Sequence, residues 1–120
     1  MITIYGIKNC DSVKKAVKYM KSNTLSYTFV DFKETPVDAP KIATWVKKVP
    51  ISKLFNSRSS TYKTLKLKEL NLDDEQKQIW LTKENILIKR PIIEYQDRVI
   101  VGFNESEYEN VFKKCTFAPQ

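Results

Sequence analysis

Cys10 is the residue of this chain whose type and position indicate chemical reactivity most clearly. It follows a short apolar alternation and the turn Gly6-Ile7-Lys8-Asn9, at the point where a helix is predicted to begin. The first backbone N–H groups of a helix are unpaired and the helix dipole is positive there, so both stabilise a thiolate relative to a thiol. Because the thiolate is the nucleophilic form of cysteine, this placement predicts a reactive Cys10, with Lys8 as a nearby cation. The alternative is an inert buried thiol, since free cysteine also packs as a small apolar residue.

The composition limits what could activate Cys10. The 120 residues contain two cysteines, Cys10 and Cys115, and no histidine. A cysteine–histidine pair and a histidine-ligated metal are therefore excluded, so a lysine, an arginine or the backbone must supply the activation. We expect no bound metal or cofactor. Two cysteines at opposite ends of the chain are no disulfide framework, and the chain has neither a signal-peptide pattern nor an apolar run of membrane-spanning length. These features predict a cytoplasmic protein that does not associate with membranes.

The charge of the chain favours a solvated surface over a nucleic-acid interface. The 21 basic and 14 acidic residues give a net charge of +7, but the lysines are spread along the chain and no block of five like charges occurs. Trp45 and Trp80 are interpreted as residues of the core or of the lining of a groove, rather than as a stacking platform for bases. We therefore expect no direct DNA binding, and we expect a monomer.

Two apolar alternations separated by an amphipathic segment predict two parallel strands joined by a helix. The first strand lies within Ile2–Tyr5 and the second spans Ser26–Phe32, and the helix between them could be capped by Asp11 or Ser12. A strand, a crossover helix and a second strand in one sheet connect with right-handed topology. The N-terminal part is thus predicted to be a βαβ unit.

Residues 36 to 85 are predicted to be an all-helical insertion rather than a second domain. Asp38 is a suitable cap for a helix that has Pro40 in its first turn, and Asp73 and Asp74 are typical of the start of another helix. No linker composition flanks this segment. The whole chain is accordingly interpreted as one domain.

The C-terminal part is predicted to form a hairpin and a final helix. Ile92–Tyr95 and Arg98–Phe103 are apolar segments separated by a short turn, which indicates two antiparallel strands. Asn104 and Glu107 form a capping-box pattern ahead of a helix, and residues 115 to 120 are predicted to be a loose tail. The order strand, helix, strand, helical insertion, strand, strand, helix predicts an α/β fold with a mixed four-stranded sheet of the thioredoxin-like type.

Three segments of the chain carry a resemblance to a known family. They are ITIYGIKNCDSVKKA near the start, LFNSRSSTYKTL in the middle and IKRPIIEYQDRVIVGFNESEYENVF near the end. On these segments the chain resembles the ArsC/Spx family of thioredoxin-like proteins, and most of all its YffB branch. The resemblance implies that Cys10 lies beside the loop of Arg90 and Pro91, with a proline that is usually cis. Arg90 would then place a permanent positive charge near the thiolate and near an anionic substrate.

The resemblance also implies a set of site residues. Cys10 and Arg90 are the implied catalytic residues, and the implied substrate-binding or anion-binding residues are Lys8, Asn9, Arg58 and Pro91. Arg58 could equally be a linker arginine between helices. Two other residues are weaker candidates for a functional role. Arg98 is at the start of a hairpin strand and is expected to face solvent. Cys115 could be a resolving thiol, but it lies in the predicted tail.

Four positions depart from the pattern of the family. Val13 occupies the place of the second cysteine of a Cys-x-x-Cys pair, which excludes dithiol chemistry and an internal redox switch at this site. The arsenate reductases of the family grip the oxyanion with three arginines, and by alignment Asn56 and Gly102 replace two of them. Those reductases also carry a histidine where this chain has Gly6. We therefore expect single-cysteine chemistry and no efficient arsenate reduction.

Two functions follow as hypotheses. The first is a monothiol oxidoreductase in which Cys10 forms a mixed disulfide or thiol adduct that glutathione or glutaredoxin resolves, with glutathione as co-substrate. The second is an Spx-like transcriptional regulator that binds RNA polymerase, in which Cys10 is vestigial or a one-cysteine sensor.

Overall fold

Four strands form one mixed sheet in the order β2-β1-β3-β4. The computed structural model describes residues 2–56 and 60–113. The strands within them are β1 (Ile2–Gly6), β2 (Tyr27–Asp31), β3 (Ile92–Tyr95) and β4 (Arg98–Val101). β1 pairs in parallel with β2 and antiparallel with β3, and β3 and β4 form an antiparallel hairpin. The predicted mixed four-stranded sheet of the thioredoxin-like type is confirmed.

Helices cover both faces of this sheet. On one face lie α1 (Asp11–Ser22) and α6 (Glu105–Tyr108), which continues as a π-helical turn over Glu109–Lys113. The helices between β2 and β3 lie on the other face, and they are α2 (Ala39–Lys48), α3 (Ile51–Leu54), α4 (Ser60–Thr64) and α5 (Asp74–Lys83), with 3₁₀ turns at Leu67–Leu70 and Asn85–Leu87. No helix in the described part of the chain is long and apolar enough to cross a bilayer.

The alternation of side chains along the central strands divides the core in two. Ile4 pairs with Ile93, and both are fully buried in the cluster that also contains residues of α1 and α6. The next pair, Tyr5 and Ile92, faces the opposite way into the cluster formed with the helices between β2 and β3. This is the period-2 geometry of a strand, and it buries apolar side chains of the two central strands on both faces of the sheet.

Side-chain caps define where three of the helices begin. The carboxylate of Asp38 accepts the N–H of Lys41 at 3.2 Å ahead of α2, and Asp73 forms a capping box with Gln76 ahead of α5. Asn104 caps α6 in the same manner, by accepting the N–H of Glu107 at 2.9 Å. These three helix starts were predicted.

The start of α1 differs from the prediction. Neither Asp11 nor Ser12 caps it, because both lie inside the helix and Cys10 itself is the N-cap residue. Cys10 has extended backbone dihedrals of −98° and 125°, and its carbonyl accepts the N–H of Lys14 at 3.0 Å. Cys10 is therefore closer in sequence to the unpaired N–H groups of the first helical turn than it would be if Asp11 or Ser12 were the N-cap residue.

A carboxylate in the sheet, Glu94 of β3, fixes α2 against the strands. It accepts hydrogen bonds from Trp45 Nε1 at 2.7 Å and from the Tyr5 hydroxyl at 2.8 Å, and it forms an ion pair with Lys41 Nζ at 3.1 Å. Burial raises the pKa of Glu94, but the hydrogen bonds and the Lys41 charge outweigh burial and hold it below its ordinary value. Trp45 is fully buried and Trp80 is half-buried against the same core, so the core interpretation of both tryptophans is confirmed.

Replacing Glu94 with glutamine is expected to lower the free energy of unfolding by about 2 kcal/mol at neutral pH, because an acceptor for several donors loses its charge. The folded pKa of Glu94 is depressed, so its contribution is complete above the unfolded carboxyl pKa of about 4.3 and is lost as the pH falls through the folded pKa. Urea unfolding of the Glu94→Gln variant at neutral and acidic pH measures this difference. Glu69→Gln, at an exposed position, serves as the control, and an equal loss in both variants would contradict the assigned role.

Candidate functional site

Cys10 lies in the connection between the central strand β1 and helix α1. The strand ends at Gly6, the chain turns at Lys8 and Asn9, and the N–H of Cys10 donates to the carbonyl of Ile7 at 3.4 Å. The cysteine is half-buried, so its sulfur is shielded in part from water without being sealed in the core. Strand and turn thus place one thiol at the carboxyl end of β1, against the first turn of α1.

A close contact between Gly6 and Val13 shapes this connection. A Cβ atom at Gly6 would lie 2.5 Å from Cγ2 of Val13, whose side chain is 2% exposed. Strand and helix can approach this closely only because position 6 has no side chain. Gly6 and Val13, the residues that by the family resemblance replace a histidine and a cysteine, are therefore in direct contact with each other.

Replacing Gly6 with alanine is expected to lower the free energy of unfolding by about 1–3 kcal/mol, the range for overpacking of a tight contact. Adding Val13→Ala should recover part of that loss, because it removes the methyl group that the new Cβ meets. Urea unfolding of both single variants and the double variant measures the coupling. Strict additivity of the two single effects would show that the contact does not constrain the turn.

Arg90 is held beside this turn by main-chain acceptors. The Arg90–Pro91 peptide bond is cis, as the family resemblance implied. Nη1 of Arg90 donates to the carbonyl of Ile86 at 2.7 Å and lies 3.4 Å from that of Ile88, while its Nε is buried and has no partner among the described residues. The guanidinium is therefore anchored at one nitrogen, with donor capacity left over.

A small bridge brings the middle of the chain to the same place. Phe55 and Ile88 form an antiparallel bridge, which is extended by hydrogen bonds from the N–H of Asn56 to the carbonyl of Leu87 and from the N–H of Lys89 to that of Leu54, both 2.7 Å long. The segment that precedes Arg58 is consequently fixed next to the segment that carries Arg90. Arg58 itself lies outside the described residues, and so does Cys115, so the predictions made for them stay predictions.

The electrostatics around Cys10 favour its thiolate. Burial raises the pKa of the thiol, but the N–H of Val13, the guanidinium of Arg90 and the N–H of Ser12 act on the sulfur and together hold the pKa below its ordinary value. The side chain makes no capping hydrogen bond of standard geometry. The first helical turn and one arginine, which is separated from it by most of the chain, therefore stabilise the ionised form.

The remaining predicted site residues differ in where they lie. Lys8 is exposed and its ammonium lies 3.8 Å from a carboxylate oxygen of Glu34, whereas Arg90 is a cation that helps to lower the pKa of the Cys10 thiol. An effect of Lys8 on the sulfur stays a prediction. Asn9 is exposed in the turn, and Pro91 is buried beside Arg90. An anion-binding role for these three residues stays a prediction.

Asn56 and Gly102, which the family resemblance aligns with two arginines of the reductases, both lie close to the Arg90–Pro91 segment through backbone hydrogen bonds. Asn56 is half-buried and is fixed through its backbone to the segment ahead of Arg90, whereas the N–H of Gly102 donates to the carbonyl of Pro91 at 2.8 Å. Gly102 has a φ of +82°, and a Cβ there would meet no atom within 4 Å. An arginine at Gly102 would have space but a strained backbone. Arg98 is exposed at the start of β4, as predicted.

A mixed four-stranded sheet covered by helices on both faces, with a cysteine at the N-cap position of its first helix, is typical of a thioredoxin-like protein. The chain belongs to the ArsC family, whose model matches residues 5–111. It is 36% identical over 113 residues to an uncharacterised protein of Haemophilus influenzae, an alignment that covers 93% of this chain and 99% of that protein. It is 26% identical over 111 residues to global transcriptional regulator Spx 2 of Bacillus anthracis, covering 89% and 83% of the two chains.

Solved structures are similar over nearly the whole chain. The YFFB protein superimposes with a TM-score of 0.86 at 27% identity, covering 92% of this chain and 97% of that one. An arsenate reductase (ArsC) related protein from Brucella melitensis superimposes with a TM-score of 0.74 at 34% identity, covering 93% and 94%. The family resemblance predicted from three sequence segments is thus confirmed.

Proposed function

We propose that this protein is a monothiol oxidoreductase whose nucleophile is the thiolate of Cys10. The proposal rests on one observation, the action of the Arg90 guanidinium and of two backbone N–H groups on the sulfur, which lowers the pKa of the thiol although burial opposes it. A thiol whose pKa is lowered and whose residue is half accessible to solvent suits thiol–disulfide exchange, because the thiolate is the attacking form.

The proposed reaction is two successive exchanges. The thiolate of Cys10 attacks a sulfur of a disulfide, so that a bond forms to Cys10, the disulfide bond breaks and one thiolate leaves. The thiolate of glutathione then attacks the mixed disulfide, forms a bond to the substrate sulfur and releases the Cys10 thiolate. The net change is exchange of one disulfide for another, and the disulfide that contains glutathione can be reduced further by a second thiol or by glutaredoxin. Val13 supplies no second thiol next to Cys10, and in the proposed reaction an external thiol completes the cycle.

Glutathione is the co-substrate that fits the charges near Cys10. Its two carboxylates could be held by Arg90 together with Lys8, and Asn9, Arg58 and Pro91 complete the proposed binding set. Arsenate is a less suitable substrate, because Asn56 and Gly102 stand where arginines grip the oxyanion in the family's reductases. A cytoplasmic location suits this chemistry, since glutathione keeps that compartment reducing.

Incubation with oxidised glutathione tests the proposal at its first step. We expect an adduct of about 305 Da, one glutathionyl group, on the peptide that contains Cys10, because thiolate exchange transfers that group. Addition of reduced glutathione should remove it. The absence of the adduct on Cys10 under conditions that modify free cysteine would contradict the proposal.

A second candidate function comes from the relatives named Spx. A chain that is similar to a global transcriptional regulator over 89% of its own length could bind RNA polymerase through the helices between β2 and β3, with Cys10 as a one-thiol sensor. Co-purification with RNA polymerase separates the two candidates. The oxidoreductase proposal predicts thiol transfer in the absence of polymerase, whereas the regulator predicts a stable complex with the Cys10→Ser protein as well.

A further inference from the structure

A groove of about 500 Å³ lies between α1 and the edge strand β2. Its apolar wall is formed by Val13 and Val17 of the helix and by Tyr27 and Phe29 of the strand. Val17, Tyr27 and Phe29 are only half-buried, and among the described residues β2 is an edge strand of the sheet. A volume of this size is within the range of pockets that hold small ligands.

The rim of the groove is positively charged. Lys14, Lys18 and Lys21 follow each other at helical spacing on one side of α1, and all three are exposed. Within residues 2–56 and 60–113, none of them has a carboxylate within 4 Å, since the ion pairs there join Lys8 to Glu34 and Lys41 to Glu94. Lys8 also lines the groove and pairs with Glu34, so the charges at this rim that form no ion pair among the described residues are those of the three α1 lysines.

We propose that this groove binds a small organic anion that joins an apolar body to one carboxylate, such as an aryl carboxylate or a fatty acid. An apolar body would remove the exposed parts of Val17, Tyr27 and Phe29 from water, and a carboxylate at the rim would pair with the lysines of α1. A hydrophilic anion such as phosphate leaves the apolar wall exposed, and an apolar cation is repelled by the rim. Charge and shape together therefore select the amphipathic anion.

The groove adjoins the cysteine site but does not depend on it. Val13 contributes its side chain to the groove and its N–H to the surroundings of the Cys10 sulfur. A ligand in the groove is thus held beside the first turn of α1. The inference requires no reactivity of Cys10, and the Cys10→Ser protein is expected to bind the ligand as the native protein does, so the two proposals can fail separately.

Displacement of a fluorescent probe tests the proposal. The native protein is loaded with 8-anilinonaphthalene-1-sulfonate and titrated with dodecanoate or with dodecyltrimethylammonium, each below its micellar concentration. Dodecanoate is expected to displace the probe and the cation is not, and dodecanoate should bind more weakly as salt is added. The double variant Lys14→Gln/Lys18→Gln is expected to raise the Kd for dodecanoate about fivefold, because each exposed charge pair contributes modestly.

The matched control removes the same charge elsewhere. Lys47→Gln/Lys48→Gln changes two exposed lysines at the end of α2, on the other face of the sheet, and should leave the Kd unchanged. Three results would overturn the proposal: no displacement by dodecanoate, equal displacement by the anion and the cation, or equal weakening in the two double variants.

Discussion

Replacing Cys10 with serine is expected to lower thiol-transfer activity on the order of 10³-fold or more, because the reaction loses its nucleophile. The fold should survive the change, since serine is a favoured N-cap residue and Cys10 already occupies the N-cap position of α1. The measurement is the initial rate of glutathione-dependent reduction of a small mixed disulfide, with circular dichroism as the check on folding.

The second cysteine provides the matched control for this variant. Cys115→Ser removes the other thiol of the chain and is expected to keep the activity of the native protein, because an external thiol resolves the mixed disulfide. Full activity in Cys10→Ser would exclude the proposed mechanism. Loss of activity in Cys115→Ser would instead identify an internal resolving thiol.

Replacing Arg90 with glutamine is expected to reduce the rate of Cys10 alkylation at pH 7 about tenfold and thiol transfer by about 10- to 100-fold. The guanidinium is one of the groups that lower the pKa of the Cys10 thiol, so its removal raises that pKa and leaves less thiolate at neutral pH. The larger effect on transfer reflects the additional loss of a docking charge for an anionic substrate. Alkylation is followed by mass spectrometry, and transfer by the same disulfide assay.

Two further variants separate charge from anchoring. Arg98→Gln removes an exposed arginine at the start of β4 and should leave both rates unchanged. Arg90→Lys keeps the charge but loses the fork whose Nη1 bonds to the carbonyl of Ile86, so it should retain part of the alkylation rate. If Arg90→Gln alkylates as fast as Arg98→Gln, Arg90 does not act on the sulfur.

Much of the fold could be predicted from local patterns, because the determinants of strands and caps lie close together in sequence. The alternation in Ile2–Tyr5 and in Ile92–Tyr95 predicted buried strands, and the side chains of Asp38 and Asn104 predicted two helix starts. The meeting of Arg90 with the cysteine turn did not follow from any local pattern. It came from the resemblance to a family, since only tertiary structure brings these segments together.

The features that were not predicted include contacts over long sequence separations and one local detail, the residue at which α1 begins. The hydrogen bond between Tyr5 and Glu94 spans 89 residues, and the only local signal was a single carboxylate within an apolar strand. The ion pair between Lys8 and Glu34 at the protein surface was likewise not predicted. Cys10 as the N-cap was missed because aspartate and serine are much better capping residues than cysteine.

The pH dependence of Cys10 alkylation shows whether the fold lowers the pKa of the Cys10 thiol. The Cys115→Ser protein, which carries Cys10 as its one thiol, is treated with iodoacetamide over a range of pH, and the modified fraction is measured by mass spectrometry. The midpoint is expected to lie below about 8.5, the pKa of an unperturbed cysteine, because the first turn of α1 and the Arg90 guanidinium stabilise the thiolate. A midpoint at or above that of free cysteine would contradict the account and leave only the fold and the family assignment standing.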